Sequence, residues 1–242
     1  MVILNLGCGS RTSAQCINID WSVYLRIKKS KIASLLAPLV LYSSPLRLER
    51  LRALDDRIIA HNFLKGIPFG DASVDAVYHS HLLEHLDRSD AVRFVREVHR
   101  VLKPKSIHRI VVPNFEDLCR RYLNHLERCI GDGTEHGKHD NYIADIISQM
   151  VRREAFGTSQ QRPFRRWIEN ILIGDARRRG ETHQWMYDRV NLGHLLECAG
   201  FSKIKLLDYS TSAIPKWNLI GLDRNQHGGE YIQGSIYVEA IR

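Results

Sequence analysis

No apolar run in the 242 residues approaches the ~20 that a membrane-spanning helix needs. The longest lies around Ile32 to Tyr42 and is broken by Pro38. None of the five cysteines (Cys8, Cys16, Cys119, Cys129 and Cys198) forms a CxxC pair, so no structural zinc or thioredoxin-like motif is written in the chain. An odd count fits reduced, mostly packed thiols. The opening Met1-Val2-Ile3-Leu4-Asn5 lacks a basic start and a cleavage site, and the expected compartment is the cytoplasm. There is no internal repeat and no low-complexity tract. Hydrophobic residues at 44% and charged residues at 26% exclude a mainly disordered chain.

What the chain has in excess is positive charge, +8 net, unevenly placed. Residues 21–57 hold eight Lys/Arg against three Asp/Glu, and residues 152–180 again hold eight against three. The rest is slightly acidic. Basicity confined to two segments points to a local anionic partner: a phosphate, a nucleotide-sugar, an acidic lipid surface or a nucleic acid. Two solvated helical faces are the plainer reading. Lys28, Lys29 and Lys31 precede the apolar stretch, an order that suits peripheral membrane contact or a lid helix packed on the domain.

Short apolar runs predict strands at 2–6, 16–20, 57–60, 74–79, 107–112, 202–209 and 235–241. Helical spacing is expected within 21–57 and at 91–102, with Asp87 or Ser89 as its cap. It recurs at 115–130, 142–156, 163–176 and 188–198, the last closed by Gly200. Strands alternating with helices predict an α/β fold: a doubly wound, seven-stranded, mainly parallel sheet with helices on both faces. Residues 1–242 read as one domain with helical insertions at about 21–56 and 131–182.

Ligands of such sheets sit at the carboxyl ends of the strands. Here those ends are Gly7-Cys8-Gly9, Asp20, His61-Asn62, the stretch from Ser80 to His85, and Pro113-Asn114. A glycine turn lets backbone approach a ligand closely, and a carboxylate ending the next strand can accept both hydroxyls of a ribose. A dinucleotide site would need a third glycine at Thr12 and a helix before the second strand. Ten residues between Gly9 and Asp20 leave no room for that helix, so a ribose-bearing ligand without phosphates fits better.

These residues resemble a known family. Ile3-Leu4-Asn5-Leu6-Gly7-Cys8-Gly9 looks like the first motif of class I S-adenosylmethionine-dependent methyltransferases, with their Rossmann-like fold. Asp20 matches their ribose-binding carboxylate. Ile67-Pro68-Phe69-Gly70-Asp71 through Val77 and Val98-His99-Arg100-Val101-Leu102-Lys103-Pro104 match the segments around their fourth strand and following helix. The likeness covers roughly 1–20 and 57–114 and resumes weakly at 192–201. Ser80 to His85, His183-Gln184-Trp185-Met186-Tyr187 and Ile214-Pro215-Lys216-Trp217-Asn218 are similar to methyltransferase-11-like proteins associated with polysaccharide and glycan biosynthesis. The resemblance implies S-adenosyl-L-methionine as cofactor, held by Asn5, Gly7, Cys8, Gly9, Asp20, His61, Asn62, Phe63 and Ser80. Asn62 stands where many relatives carry an aspartate that meets the adenine amine, and its amide oxygen can accept the same bond. Lys105 stands where relatives usually have glycine.

The candidates for catalysis are His85, His183, His81 and Glu84. His85 follows the fourth strand, where acceptors reach the methyl group in this fold. It reads as general base or acceptor contact, or as a structural histidine in a turn. His183, with Trp185 and Tyr187, suits a lid over a sugar or ring acceptor, or a packed hinge. His81, Glu84 and His85 resemble the Glu…Glu-His metal cluster of ubiquinone-pathway O-methyltransferases, with histidine at the first glutamate position. Adjacent side chains at 84 and 85 need not point together, and no metal is assigned. His136-Gly137-Lys138-His139 reads as an exposed loop. Arg165, Arg166 and Arg177-Arg178-Arg179 could clamp an anionic acceptor.

The expected activity is methyl transfer to a small-molecule or glycan acceptor, on oxygen. The alternatives are a nucleic-acid methyltransferase and a non-catalytic cofactor-binding partner protein. Against the first, the fourth strand ends in His79-Ser80-His81, not an Asn-Pro-Pro-Tyr-like motif, and few aromatics interleave with the arginines.

Overall fold

The computed structural model describes residues 1–32, 34–35, 49, 51–132, 136–149 and 182–242. Seven strands form one sheet in the order β3-β2-β1-β4-β5-β7-β6. They are β1 (Ile3–Leu6), β2 (Ile17–Asp20), β3 (Ile59–Ala60), β4 (Val74–Ser80), β5 (Leu102–Pro113), β6 (Ser202–Leu207) and β7 (Ser235–Ile241). Pairings from β3 to β5 are parallel, while β7 runs antiparallel to both β5 and β6. This is the expected doubly wound, mostly parallel seven-stranded α/β sheet.

The helices are α1 (Val23–Lys29), α2 (Arg88–Val101), α3 (Phe115–Asp132), α4 (His136–Gln149), α5 (Arg189–Cys198) and the short α6 (Trp217–Ile220). Asp188 caps α5 by accepting from the Val190 and Asn191 amides, while the Asn191 side chain accepts from the Asp188 amide. That reciprocal pairing satisfies backbone donors that would otherwise lack partners at the helix start. One sheet face packs Leu4, Leu6 and Val77 against Phe94, Val98 and Leu196; the other packs Ile3, Tyr78 and Tyr237 against Ile214, Trp217 and Ile220.

Several boundaries differ from the expected ones for local reasons. The third strand shrinks from four residues to Ile59–Ala60, because the Asp55 carboxylate accepts from the Arg57 amide and holds a turn there. The sixth stops at Leu207, because the Asp208 carboxylate gathers the amides of Ser210 and Thr211. The fifth strand begins early, at Leu102, and runs through Lys105 at φ 67°. Glycine adopts that left-handed conformation without steric cost, which accounts for the residue type relatives carry there. His136 to His139 is the first part of α4, not a loop, and α4 is described as far as Gln149. The predicted helix at 163–176, the arginines at 165, 166 and 177–179, and most of the apolar stretch at 32–42 lie outside the described residues. Among the described residues, no helix is long and apolar enough to cross a membrane.

Two buried histidines tie β4 to β5. His79 Nε2 lies 3.0 Å from His108 Nε2, and both rings are fully buried. One ring donates and the other accepts. Burial pushes His79 down to about 4 and His108 well below its ordinary value. Unfolded histidine protonates near 6.5, so the unfolded state binds protons that the folded state refuses. Their stabilisation is therefore complete above about pH 6.5 and is lost as pH falls toward 4. His79 alone accounts for a loss on the order of 3 kcal/mol across that window. Urea unfolding at about pH 7 and about pH 5 is expected to show a lower midpoint in acid. Replacing both histidines by leucine should flatten that dependence, and an undiminished one would rule the pair out as its source.

Candidate functional site

The site is built at the carboxyl ends of β1, β2 and β4. β1 leads into Gly7, whose φ is +66° and whose amide donates to Ile19 O at 2.8 Å. A Cβ on Gly7 would be strained at this φ and would come within 2.9 Å of the Leu82 side chain, so the position favours glycine. β2 ends in the buried Asp20, whose Oδ2 accepts from the Ser22 amide at 3.1 Å. The remaining carboxylate lone pairs are available for hydroxyls.

A cavity of about 760 Å³ runs from these residues. It lies within the usual range for ligand pockets, about 300–1,000 Å³. Gly7, Asp20, Asn62 and Phe63 line it together with His81, His85 and Gln184. A second cavity, of about 210 Å³, shares Gly7 and His81 with the first and is also lined by Asn5, Cys8, Gly9 and Ser80.

The expected cofactor residues thus divide. Gly7, Asp20, Asn62 and Phe63 share the large cavity; Asn5, Cys8, Gly9 and Ser80 belong to the small one. Asn5 is buried and spends its amide on Arg11 O and Asn18 Oδ1, both at 2.9 Å, which ties the loop after β1 to β2. Cys8 packs with Leu25, Leu54 and Ile58. His61 lines neither cavity: its Nε2 lies 2.8 Å from Gly66 O and pins the following turn. The Asn62 amide oxygen already accepts from the Leu64 amide at 3.0 Å, so only its second lone pair is open to an adenine amine.

The chain leaves β4 through strained backbone. His81 has φ +50°, a conformation costing of order 1–3 kcal/mol in a non-glycine residue. It is held there by its amide on Val111 O at 2.9 Å, by Ser235 Oγ at 3.0 Å from Nε2, and by Glu84 Oε1 at 3.1 Å from Nδ1. A single helical turn, Leu83–His85, then places Glu84 inside and His85 at the cavity. The Glu84 carbonyl accepts from the amides of Gln184 and Trp185, which docks the second polar motif against the first.

Glu84 is fully buried, and neither carboxylate oxygen makes a well-aligned hydrogen bond among the described residues. Burial pushes its carboxyl up, but the adjacent His81 and His85 outweigh this and hold it below its ordinary value. His85 Nδ1 lies 3.2 Å from Thr182 O. A carbonyl only accepts, so Nδ1 carries the proton and Nε2 keeps its lone pair. Burial pushes His85 down, and the Glu84 charge offsets part of that. The His85 and His183 rings meet edge to face at 4.9 Å.

Glu84, His85 and His183 each bring one donor atom within 4.8 Å of the others, so the neighbours at 84 and 85 do converge. The sequence expectation joined His81 to that pair; the structure joins His183. Nor does His183 line the cavity: Gln184 beside it does. Trp21, Arg26, Leu82, Asp87 and Asp90 also line it, and none was singled out from sequence as a site residue. The ring of Trp21 under Arg26, 4.9 Å away, comes from the basic segment after Asp20, the one signal that could have found it.

Residues 4–110, from β1 into β5, match the family model described as a methyltransferase domain. No curated protein matches the chain. Among solved structures, an S-adenosylmethionine-dependent methyltransferase from Mesorhizobium loti is similar at 14% identity, with 100% of this chain and 90% of that one covered and a TM-score of 0.42. A SAM-dependent methyltransferase from Archaeoglobus fulgidus is similar at 13% identity, with 99% and 85% covered and a TM-score of 0.41. The domain match implies S-adenosylmethionine as the cofactor. The tight Gly7 turn and the carboxylate of Asp20 on one cavity fit such a group.

Proposed function

We propose that the protein is an S-adenosylmethionine-dependent methyltransferase that methylates a hydroxyl of a small-molecule or glycan acceptor. One observation carries this reading: the cavity that begins at Gly7 and Asp20 also reaches His85 and Gln184. Cofactor and acceptor ends therefore share one space. None of the five cysteines is in a disulfide, in keeping with action in the reducing cytoplasm. The whole chain is taken to act as one domain.

The cofactor supplies an electrophilic methyl group on a sulfonium. Asp20 would accept from the ribose hydroxyls, and Asn62 and Phe63 would hold the base. Gly7 lets the backbone approach. A hydroxyl acceptor must lose its proton as it attacks, and His85 Nε2 is the lone pair available at the cavity. Its depressed proton affinity keeps it neutral near pH 7. Glu84, held ionised behind it, stabilises the imidazolium once the proton arrives. Gln184 and His81 offer polar contacts to orient the acceptor.

An acceptor screen with a tritiated methyl donor tests this. Label is expected in hydroxylated small molecules or sugars and absent from RNA. Salt-sensitive labelling of RNA would replace the acceptor class with nucleic acid. Donor binding without label on any acceptor would leave a cofactor-binding partner protein.

A further inference from the structure

Away from the cavity, α3 and α4 bring two imidazoles and a thiol together. His125 and Cys129 are four residues apart on α3 and share a face. His139 comes from the start of α4. His125 Nδ1 lies 3.1 Å from His139 Nδ1 and 3.4 Å from Cys129 Sγ. The three donor atoms lie within 4.8 Å of one another. His125 and Cys129 are buried, with the Tyr142 ring stacked on His125 at 4.2 Å.

An imidazole Nδ1 offers either one proton or one lone pair in the ring plane, and here the same atom faces two partners. A cation between the three donors serves them all. Zinc–nitrogen bonds of about 2.0–2.1 Å and a zinc–sulfur bond of about 2.3 Å give tetrahedral edges of about 3.3 Å between nitrogens and about 3.6 Å from nitrogen to sulfur. The distances of 3.1 and 3.4 Å match those edges closely. Two imidazoles and a thiolate select zinc-like metals, not magnesium or calcium, which prefer oxygen.

We infer that His125, Cys129 and His139 form a zinc site that clips α4 to α3. Among the described residues it draws three ligands, and the fourth position takes water or another donor. This site is independent of the methyltransferase reading. It escapes spacing rules because it has one cysteine and draws its third ligand from the next helix.

The test uses the full chain, stripped with a chelator and titrated with Co²⁺ and then Zn²⁺. One Co²⁺ per chain should give thiolate-to-cobalt absorption, which Zn²⁺ then displaces. That absorption should vanish in Cys129→Ser and persist in His183→Ala, which removes a ligand from the other three-residue cluster. Zn²⁺ should raise the melting temperature of the wild type but not of Cys129→Ser. Should Cys129→Ser fail to fold, His139→Ala decides, with zinc affinity expected to fall by roughly tenfold or more. Wild-type protein without thiolate–cobalt absorption, or an unchanged spectrum in Cys129→Ser, would overturn the site. So would unchanged zinc affinity in His139→Ala.

Discussion

His85→Ala is expected to lower turnover about a hundredfold to ten-thousandfold while leaving cofactor affinity nearly unchanged. That range is what a positioned general base contributes, and His85 is the imidazole at the cavity with its Nδ1 committed to Thr182 O. The pH profile separates this role from a structural one. A base must be unprotonated, and burial sets His85 below its ordinary value. The acid limb of the rate profile should therefore fall below about pH 6.5. Glu84 is the charge that pulls His85 back up, so Glu84→Gln should move that limb further toward acid. Kinetics across pH for both variants check this. Wild-type turnover in His85→Ala would remove the residue from the chemistry.

Arg109→Met is expected to cost about 3–5 kcal/mol of stability, a large share of what an ordinary domain has. Arg109 is completely buried on β5. It donates to Asp223 Oδ2 at 2.7 Å, to Glu239 Oε1 at 2.8 Å and to the carbonyls of Thr211 and Asp208 at 2.9 and 3.0 Å. Tyr78 and Trp217 donate to the same Asp223 carboxylate at 2.8 and 2.7 Å. Removing the guanidinium leaves two carboxylates buried without their cation, which is why the loss should be large. Adding Asp223→Asn and Glu239→Gln should restore part of it. Urea unfolding measures both steps. A loss under about 1 kcal/mol for Arg109→Met would show that the network contributes little.

That network marks where sequence reading stops. The strands are legible because apolar runs end in turn residues, and the grouping of Gly7, Asp20 and Asn62 on one cavity is legible because a parallel sheet gathers its strand ends on one side. The partners of Arg109 lie 99 to 130 residues away in the chain, and no local pattern announces them. Arg11 poses the same problem: it ties the first loop to Gly221 O at 2.6 Å and Leu222 O at 3.2 Å, across more than 200 residues. Short polar motifs fixed neighbourhood but not direction. His183 and Gln184 were read as one motif, yet Gln184 faces the cavity and His183 packs on His85. Likewise the sequence gives no sign that His61 Nε2 meets Gly66 O in the following turn.

The central claim is that Gly7 and Asp20 build a nucleoside pocket. Calorimetric titration with S-adenosylhomocysteine, on the wild type and on Asp20→Ala, tests it most directly. Micromolar binding by the wild type and its loss in Asp20→Ala is the predicted result, since the ribose hydroxyls would have no carboxylate to meet. Absence of binding by folded wild-type protein at millimolar ligand, or equal affinity in Asp20→Ala, would contradict it.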